Sequence, residues 1–319
     1  MFTQIKHFFA ARSQAKAFAA LAQTSRSIVF YAEDTHSYMH FAKIIQMLTK
    51  QHNKQVCYLT SVLDDPILKQ QNPSIKAFYI GAGIIRMRVF LRLQAEVMIM
   101  TMPDIELYHL QRSKIYPVHY IYLFHAMVST HSIYRKGAFN HYDTIFCTGS
   151  YQVDEIRATE KVYNLPDKNL LEIGYPRLQE LMDEVAQLTA AATAPAQKTI
   201  IIAPSWGKHG TLEVCGIELI KVLLAAGYQT IVRPHPMTTL HNRQLIAQID
   251  AEFSAKPNFS LQLDIRDKES LYTSDILISD WSGVAIEYAF ACEKPVIFID
   301  VPKKRNNPEE DRLGLVPIE

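Results

Sequence analysis

The sequence predicts an α/β protein of two Rossmann-like domains in tandem that face a cleft, and three observations carry that prediction. Short apolar, β-rich runs alternate with helical stretches, the pattern of parallel strands joined by crossovers. The alternation stops at the Ala- and Thr-rich stretch VAQLTAAATAPAQK (185–198) and then restarts. The chain has 319 residues, 48% hydrophobic and 20% charged, which suits about two globular domains and excludes a disordered tail, a collagen-like fibre and a coiled coil.

The elements follow in order. Residues 1–26, MFTQIKHFFAARSQAKAFAALAQTSR, contain no acidic residue and read as a basic amphipathic helix. Arg12 and Lys16 interrupt the apolar run, so this is not a signal peptide. Phe2, Ile5 and Phe9 on one face and Arg12 and Lys16 on another would suit an anionic membrane surface; packing on its own domain is the alternative. No apolar stretch reaches the roughly 18 residues that span a bilayer.

The first domain, 27–188, opens with the strand IVFYA (28–32) and a helix near 38–51. Further strands are VCYLT (56–60), AFYIG (77–81), VMIM (97–100), VHYIYLF (118–124), TIFCTG (144–149) and LLEIG (170–174). Residues 189–198 form a linker. The second domain, 199–319, has strands TIIIAP (199–204), YQTIV within 228–236, LQL (261–263), DILISD (275–280) and PVIFID (295–300). Its helices are ELIKVLLAAG (218–227) and GVAIEYAFACE (283–293).

The net charge of +1, from 33 Lys+Arg and 32 Asp+Glu, is a cancellation. Residues 1–150 carry 16 basic and 8 acidic side chains, a net of +8; residues 151–319 carry 17 and 24, a net of −7. Such halves are built for different partners. The four cysteines, Cys57, Cys147, Cys215 and Cys292, are widely spaced beside apolar runs, as expected of buried reduced thiols in a cytoplasmic protein. No clustered metal ligands and no nucleic-acid-binding signature are present in the sequence.

In open parallel sheets, ligands bind beyond the carboxyl ends of the strands. Four segments place polar residues there. In SDILISDWSGVAIEYAF (274–290), a strand ends at Ser279 and Asp280–Trp281–Ser282–Gly283 leads into a helix. The helix N-terminus suits a phosphate, with Ser282 adding a hydroxyl and Gly283 allowing close approach; a simple N-cap at Ser282 or Asp280 is the bland alternative. In IVRPHP (231–236), Arg233 offers a fork for an anion, and two prolines fix the loop that carries His235. In IIAPSWGKHG (201–210), Ser205 and Lys208 follow a strand, although GxxxxGK[ST] is absent. In YLFHAMVSTHSIYRKGAFNHYDTIFCTG (122–149), His125 directly follows a strand and is the candidate base, while Arg135 and Lys136 suit an anionic acceptor. His141 and Asp143 read as structural.

Together these segments resemble the CDP-glycerol glycerophosphotransferase family of teichoic-acid and capsule synthesis, a family of GT-B type. APSW (203–206) is similar to the family's APTW, RPHP (233–236) to its RPHP, and 274–290 to its aDvLITDYSSvxfDyA. KPVIFID (294–300) resembles the family's KPiifY. The resemblance implies a donor nucleotide held by the C-terminal domain and an acceptor held largely by the N-terminal one. It implies one functional histidine at His235 and another at His125, where FHAMVST stands for the family's WHGT. It also implies donor contacts from Ser205, Lys208, Arg233, Ser279, Asp280, Ser282, Gly283 and Glu287. Two departures mark the site: Ser–Ser of the family turn is Ser282–Gly283, and Asp of the family helix is Glu287.

The expected reaction is transfer of glycerol phosphate, or another polyol phosphate, from a CDP-activated donor to a hydroxyl of an anionic polymer or lipid-linked acceptor, releasing CMP. His125 would take the hydroxyl proton. With no DxD motif, fixed cations and helix dipoles would stabilise the charge, and no metal or other cofactor is assigned. The alternatives are a glycosyltransferase using a nucleotide sugar and a non-catalytic nucleotide-binding subunit of a surface-polymer complex. The expected location is cytoplasmic, with peripheral contact at the inner face of the cell membrane under the membrane reading of residues 1–26. The last segment is short for a GT-B protein, which reads as a short member or a cut C-terminus.

Overall fold

Among the described residues, the strands form two sheets in which every pairing is parallel. The structure is a computed structural model that describes residues 2–190, 197–264, 267–303 and 305–318, with side chains from residue 5 onward.

The first sheet contains β1 (Ile28–Ala32), β2 (Val56–Thr60), β3 (Ile75–Tyr79), β4 (Val97–Met100), β5 (His119–Leu123), β6 (Thr144–Cys147) and β7 (Asn169–Glu172). Its order is β3-β2-β1-β4-β5-β6-β7. The second contains β8 (Thr199–Ile202), β9 (Gln229–Val232), β10 (Phe259–Leu261), β11 (Ile276–Ser279) and β12 (Val296–Phe298), ordered β10-β9-β8-β11-β12. In each sheet the chain winds outward from its first strand, returns, and continues on the other side. The switch points therefore lie between β1 and β4 and between β8 and β11, where a crevice opens beyond the strand ends.

Strand geometry explains why these segments read as unbroken apolar runs. Alternate residues leave opposite faces, and both faces are covered. From β1, Val29 and Tyr31 enter one core with Met98, Met100, Tyr120 and Tyr122; Phe30 and Ala32 enter the other with Ile99, Leu123, Phe41 and Ile45. Phe30 is 0% exposed, so its truncation to alanine would cost about 3–5 kcal/mol. In the second sheet, Ile200, Ile202, Val232 and Ile278 pack with Leu212, Ile220, Ile249 and Phe253.

The helices are α1 (Phe2–Ala19), α2 (Ser37–Gln46), α3 (Ile84–Leu91), α4 (Thr130–Ile133), α5 (Ser150–Tyr163), α6 (Pro176–Ala190), α7 (Thr211–Ala225), α8 (Pro236–His241), α9 (Arg243–Phe253), α10 (Glu269–Thr273) and α11 (Gly283–Cys292). Relative to expectation, β3 starts two residues earlier and α7 seven residues earlier than the 218–227 helix.

Helix α1 is shorter than 1–26, and its faces are not divided as expected. Ala11 and Phe18 are buried with residues of β3 and α3, which fixes the inward face. At 3.6 residues per turn, Ile5 and Phe9 then fall on the same outward side as Arg12 and Lys16. Ile5 is 44% and Phe9 58% exposed. The side chain of Phe2 lies outside the described residues. No described helix is long and apolar enough to cross a membrane.

The chain divides into two compact units, Met1–Arg177 with Asn306–Ile318 and Leu178–Arg305. The boundaries expected from sequence were 27–188 and 199–319. Residues 178–190 are helical and belong to the second unit, while residues 191–196 of the expected linker lie outside the described residues. Residues 306–318 belong to the first unit because polar contacts fix them there. Asn307 Nδ2 donates to the His131 carbonyl at 2.9 Å, and the Ile318 amide donates to Ser129 Oγ at 2.9 Å.

All four cysteines are free; Cys57 and Cys147 are buried, whereas Cys215 and Cys292 are only half-buried. Burial pushes the Cys57 thiol up to about 11 and Cys147 to about 12, which keeps both in the unreactive thiol form.

Candidate active site

At the second sheet's switch point, one carboxylate joins two strand ends. Asp280, directly after β11, is 1% exposed. It accepts hydrogen bonds from the Ser205 amide at 2.6 Å, the Thr211 amide at 3.0 Å and Thr211 Oγ1 at 2.8 Å. Ser279 Oγ donates to the Ala203 carbonyl at 2.8 Å. The loop after β8 is thereby held against the end of β11, and α7 and α11 both begin beside it. Each bond to a charged group is worth about 1.5–3 kcal/mol. Ser279 and Asp280, expected to touch the donor, are placed behind the loop as its frame.

The loop depends on glycine at two positions. Gly207 has φ +137°, where an L side chain is strained. A Cβ on Gly210 would lie 3.3 Å from the carbonyl oxygens of both Ser205 and Gly207, tighter than ordinary contact. Lys208 is exposed on the loop and has no ion pair or side-chain hydrogen bond among the described residues. Ser205 is half-buried. Ser282 is the N-cap residue of α11, Gly283 its first residue, and Glu287 stands about one turn further on; all three are half-buried.

His235 caps α8: its Nδ1 accepts from the Met237 amide at 3.1 Å. The neutral ring therefore carries its hydrogen on Nε2. Trp206, from the APSW segment, stacks near the ring at 6.2 Å between centroids and 29°; His241 lies 6.1 Å from the same indole. Arg233 is buried, and its Nη1 donates to Gln262 Oε1 at 3.0 Å and to the Asp267 carbonyl at 2.5 Å. It ties the end of β9 to the loop after β10. Glu213, in the first turn of α7, accepts from Thr238 Oγ1 at 3.3 Å, while its Oε2 is buried without a partner. Burial, more than the nearby charge of Asp280, raises its pKa.

The first sheet has a different set of groups at its switch point. A cleft of about 210 Å³ beyond β1, β4 and β5 is lined by Glu33, Asp34, His36, His40, Thr101 and His125, among others. Asp34 Oδ1 accepts from the amides of His36 and Ser37 and from Ser37 Oγ, each at 2.9 Å, and so fixes the start of α2. This helix carries His40, whose ring lies 5.9 Å from that of His125 in an edge-on arrangement. The Tyr175 hydroxyl donates to the His125 carbonyl at 3.1 Å. His125 keeps an exposed edge, yet the surrounding protein lowers its pKa, against the Thr101 backbone and Asp34, which raise it. Burial, then the charges of His125 and Arg177, bring His40 down to about 3. Both imidazoles are neutral at pH 7. Beyond His125, Glu155 Oε2 holds α4 by accepting from the Thr130 amide at 2.5 Å and from Thr130 Oγ1 at 2.8 Å.

The two cations expected to meet an acceptor are engaged elsewhere. Arg135 donates to the Tyr108 hydroxyl and lies over its ring. Lys136 pairs with Glu309 at 2.6 Å and lies 4.4 Å from the centre of the Tyr163 ring. Asp143 has the structural place expected of it, paired with Arg112 at 2.7 Å. Trp206, Glu213, Thr211 and His40 were not among the expected site residues. Trp206 stood inside a recognised segment; His40 had no local signal. Among the described residues, no cluster of three or more His, Cys, Asp or Glu side chains is arranged to hold a metal ion.

Comparison with solved structures places this architecture among GT-B-like α/β proteins. The fold is similar to that of the wall teichoic acid polymerase TagF, in a histidine-to-asparagine form soaked with CDPG. That match has 16% identity and a TM-score of 0.54, covering 93% of this chain and 78% of the other. UDP-GlcNAc 2-epimerase from Methanocaldococcus jannaschii is similar at 11% identity and a TM-score of 0.54, covering 90% and 86%. S. aureus MnaA, in a co-structure with UDP, is similar at 10% identity and a TM-score of 0.59, covering 86% and 79%. At these identities the likeness is one of fold. No curated protein sequence matches the chain. The family model for CDP-glycerol:poly(glycerophosphate) glycerophosphotransferase matches residues 16–305, through both sheets and every segment that forms the two strand-end sites, and the chain belongs to that family.

Proposed function

We propose that this enzyme transfers glycerol phosphate from CDP-glycerol to a hydroxyl of a polyol-phosphate acceptor, with CMP as the second product. The family match over residues 16–305 carries this reading. The acceptor oxygen attacks the β-phosphorus, a new P–O bond forms, and the bond to the CMP oxygen breaks. His125, neutral at pH 7, takes the hydroxyl proton.

On the donor side, the Gly283 amide that opens α11, the Ser282 hydroxyl, the Lys208 ammonium and the His235 Nε2–H face the diphosphate, while the Ser282 amide is spent on the Asp280 carbonyl at 2.7 Å. Ser205 adds a hydroxyl, and Glu287 stands one turn behind. Asp280, Ser279 and Arg233 hold these groups in place without touching the donor. Fixed donors of this kind stabilise charge on the departing CMP without reorganising during the reaction. The acceptor is a polyanionic chain, polymeric or lipid-linked. Ile5, Phe8 and Phe9, exposed on α1 beside basic residues, support peripheral contact with an anionic membrane.

The test is product analysis with CDP-glycerol and a glycerol phosphate oligomer. CMP and a new phosphodiester are expected. A nucleoside diphosphate with a glycosidic product from a nucleotide sugar, and no response to CDP-glycerol, would overturn the assignment.

A further inference from the structure

The first unit carries a second basic feature, and its charges are uncompensated. A groove of about 520 Å³ runs between α1 and α3. Arg12 and Lys16 line one wall, Arg88 and Arg92 the other, and no acidic side chain lines it. At one end Arg26 is fixed by hydrogen bonds to the Ala19 carbonyl at 3.1 Å and to Gln94 Oε1 at 2.8 Å. The other four cations have no side-chain hydrogen bond or ion pair among the described residues, and all four are exposed. They thus differ from Arg135 and Lys136, which have partners.

The arrangement is specific. On α1, Arg12 and Lys16 stand at i and i+4, about 6 Å apart along the helix axis; on the other wall Arg88 lies in the last turn of α3 and Arg92 directly follows its end. Like charges repel, and these four cations line one groove with no acidic side chain among the lining residues, so an anion that enters relieves their repulsion. A bilayer is flat and meets one convex face; a two-walled groove fits a linear chain that shows negative charge to both sides. Arg26 and Gln94 immediately precede β1 and β4, so this end of the groove lies at the amino ends of the strands, the end of the sheet opposite His125.

We propose that the α1–α3 groove is a binding site, separate from the reaction site, for a linear phosphodiester polyanion. It would hold a stretch of acceptor or product chain away from the reacting end. The choice of a polyol phosphate as the polyanion rests on the proposed transferase reading; the groove's demand for a chain with regularly spaced anions does not.

The experiment uses the full chain and a synthetic glycerol phosphate oligomer of defined length, with binding measured by calorimetry at two salt concentrations. Wild type is expected to bind the oligomer with strong salt dependence and not to bind neutral polyglycerol of equal length. The double variant Arg12→Glu/Arg88→Glu should weaken oligomer binding at least about tenfold, with CDP-glycerol binding unchanged. If that variant does not fold, Arg12→Gln/Arg88→Gln is expected to lose affinity in the same direction. Unaltered oligomer binding in a folded variant would overturn the proposal. So would binding of phosphatidylglycerol vesicles, but not of the oligomer, through these residues. Turnover of CDP-glycerol with a monomeric polyol acceptor reports on the transferase reading alone, so its loss would leave the groove result standing.

Discussion

The two sheets share one topology and present opposite chemistry at their switch points. The first sheet's edge is rich in side chains that exchange protons: Glu33, Asp34, His36, His40 and His125 line one small cleft. The second sheet's edge is rich in groups that do not. Two helix N-termini and a capped histidine surround a loop that carries an exposed lysine and that Asp280 holds from behind. Under the proposed function, the difference lets one parallel architecture serve two tasks. Proton transfer needs groups whose pKa values the protein can move, while diphosphate binding needs donors whose positions it can hold.

The sharpest way to break this comparison is to remove the proton acceptor. His125→Ala should lower CMP release at saturating CDP-glycerol by about 10²–10⁴-fold, with donor affinity unchanged. A matching loss of donor affinity would mean that the two edges do not divide the work. Next in size is the frame of the second edge. Asp280→Ala leaves three donors without their acceptor and should cost about 3–5 kcal/mol in urea unfolding. It should also abolish the stabilisation that CDP-glycerol gives the wild type. Gly207→Ala forces a side chain into φ +137°. It should cost about 1–2 kcal/mol and weaken donor binding more than it changes the pH profile.

Acid separates the edges differently. His40 has a folded pKa of about 3, below the unfolded value of about 6.5. The unfolded chain therefore binds the proton first, and stability falls as pH drops from about 6.5 towards about 3. His40→Gln should flatten that limb in pH-dependent denaturation; an unaltered limb would place the acid sensitivity elsewhere. The smallest effect is ionic. Raising salt should weaken acceptor binding to the +8 half more than it weakens CMP binding, because exposed charges are screened more than enclosed ones. Equal sensitivity would remove the electrostatic side of the comparison.

The fold was legible because both sheets are covered on both faces, so their strands stand out as apolar runs between helices. β3 was placed two residues late because Lys76 interrupts its run. The second sheet's strand-end motifs were legible as local strings, but which of their side chains are tied up within the protein was not. Nothing in SDWSG says that the Asp280 carboxylate turns away towards Ser205 and Thr211. His40 was hidden because it meets His125 only through the packing of α2 on the sheet. The pairing of Lys136 with Glu309 was hidden because the whole second unit separates them in sequence.

That last separation bears on how the molecule is made. Residues 306–318 complete the first unit, since Asn307, Glu309 and Ile318 bind the segment that follows His125. They leave the ribosome only after the whole second unit has been synthesised. The first unit is thus begun early and finished last, and the loop beside the candidate base is the final part to be fastened. A nascent chain halted before residue 306 would hold its strands but lack that fastening, so the order of synthesis delays the loop beside His125 until the second unit exists.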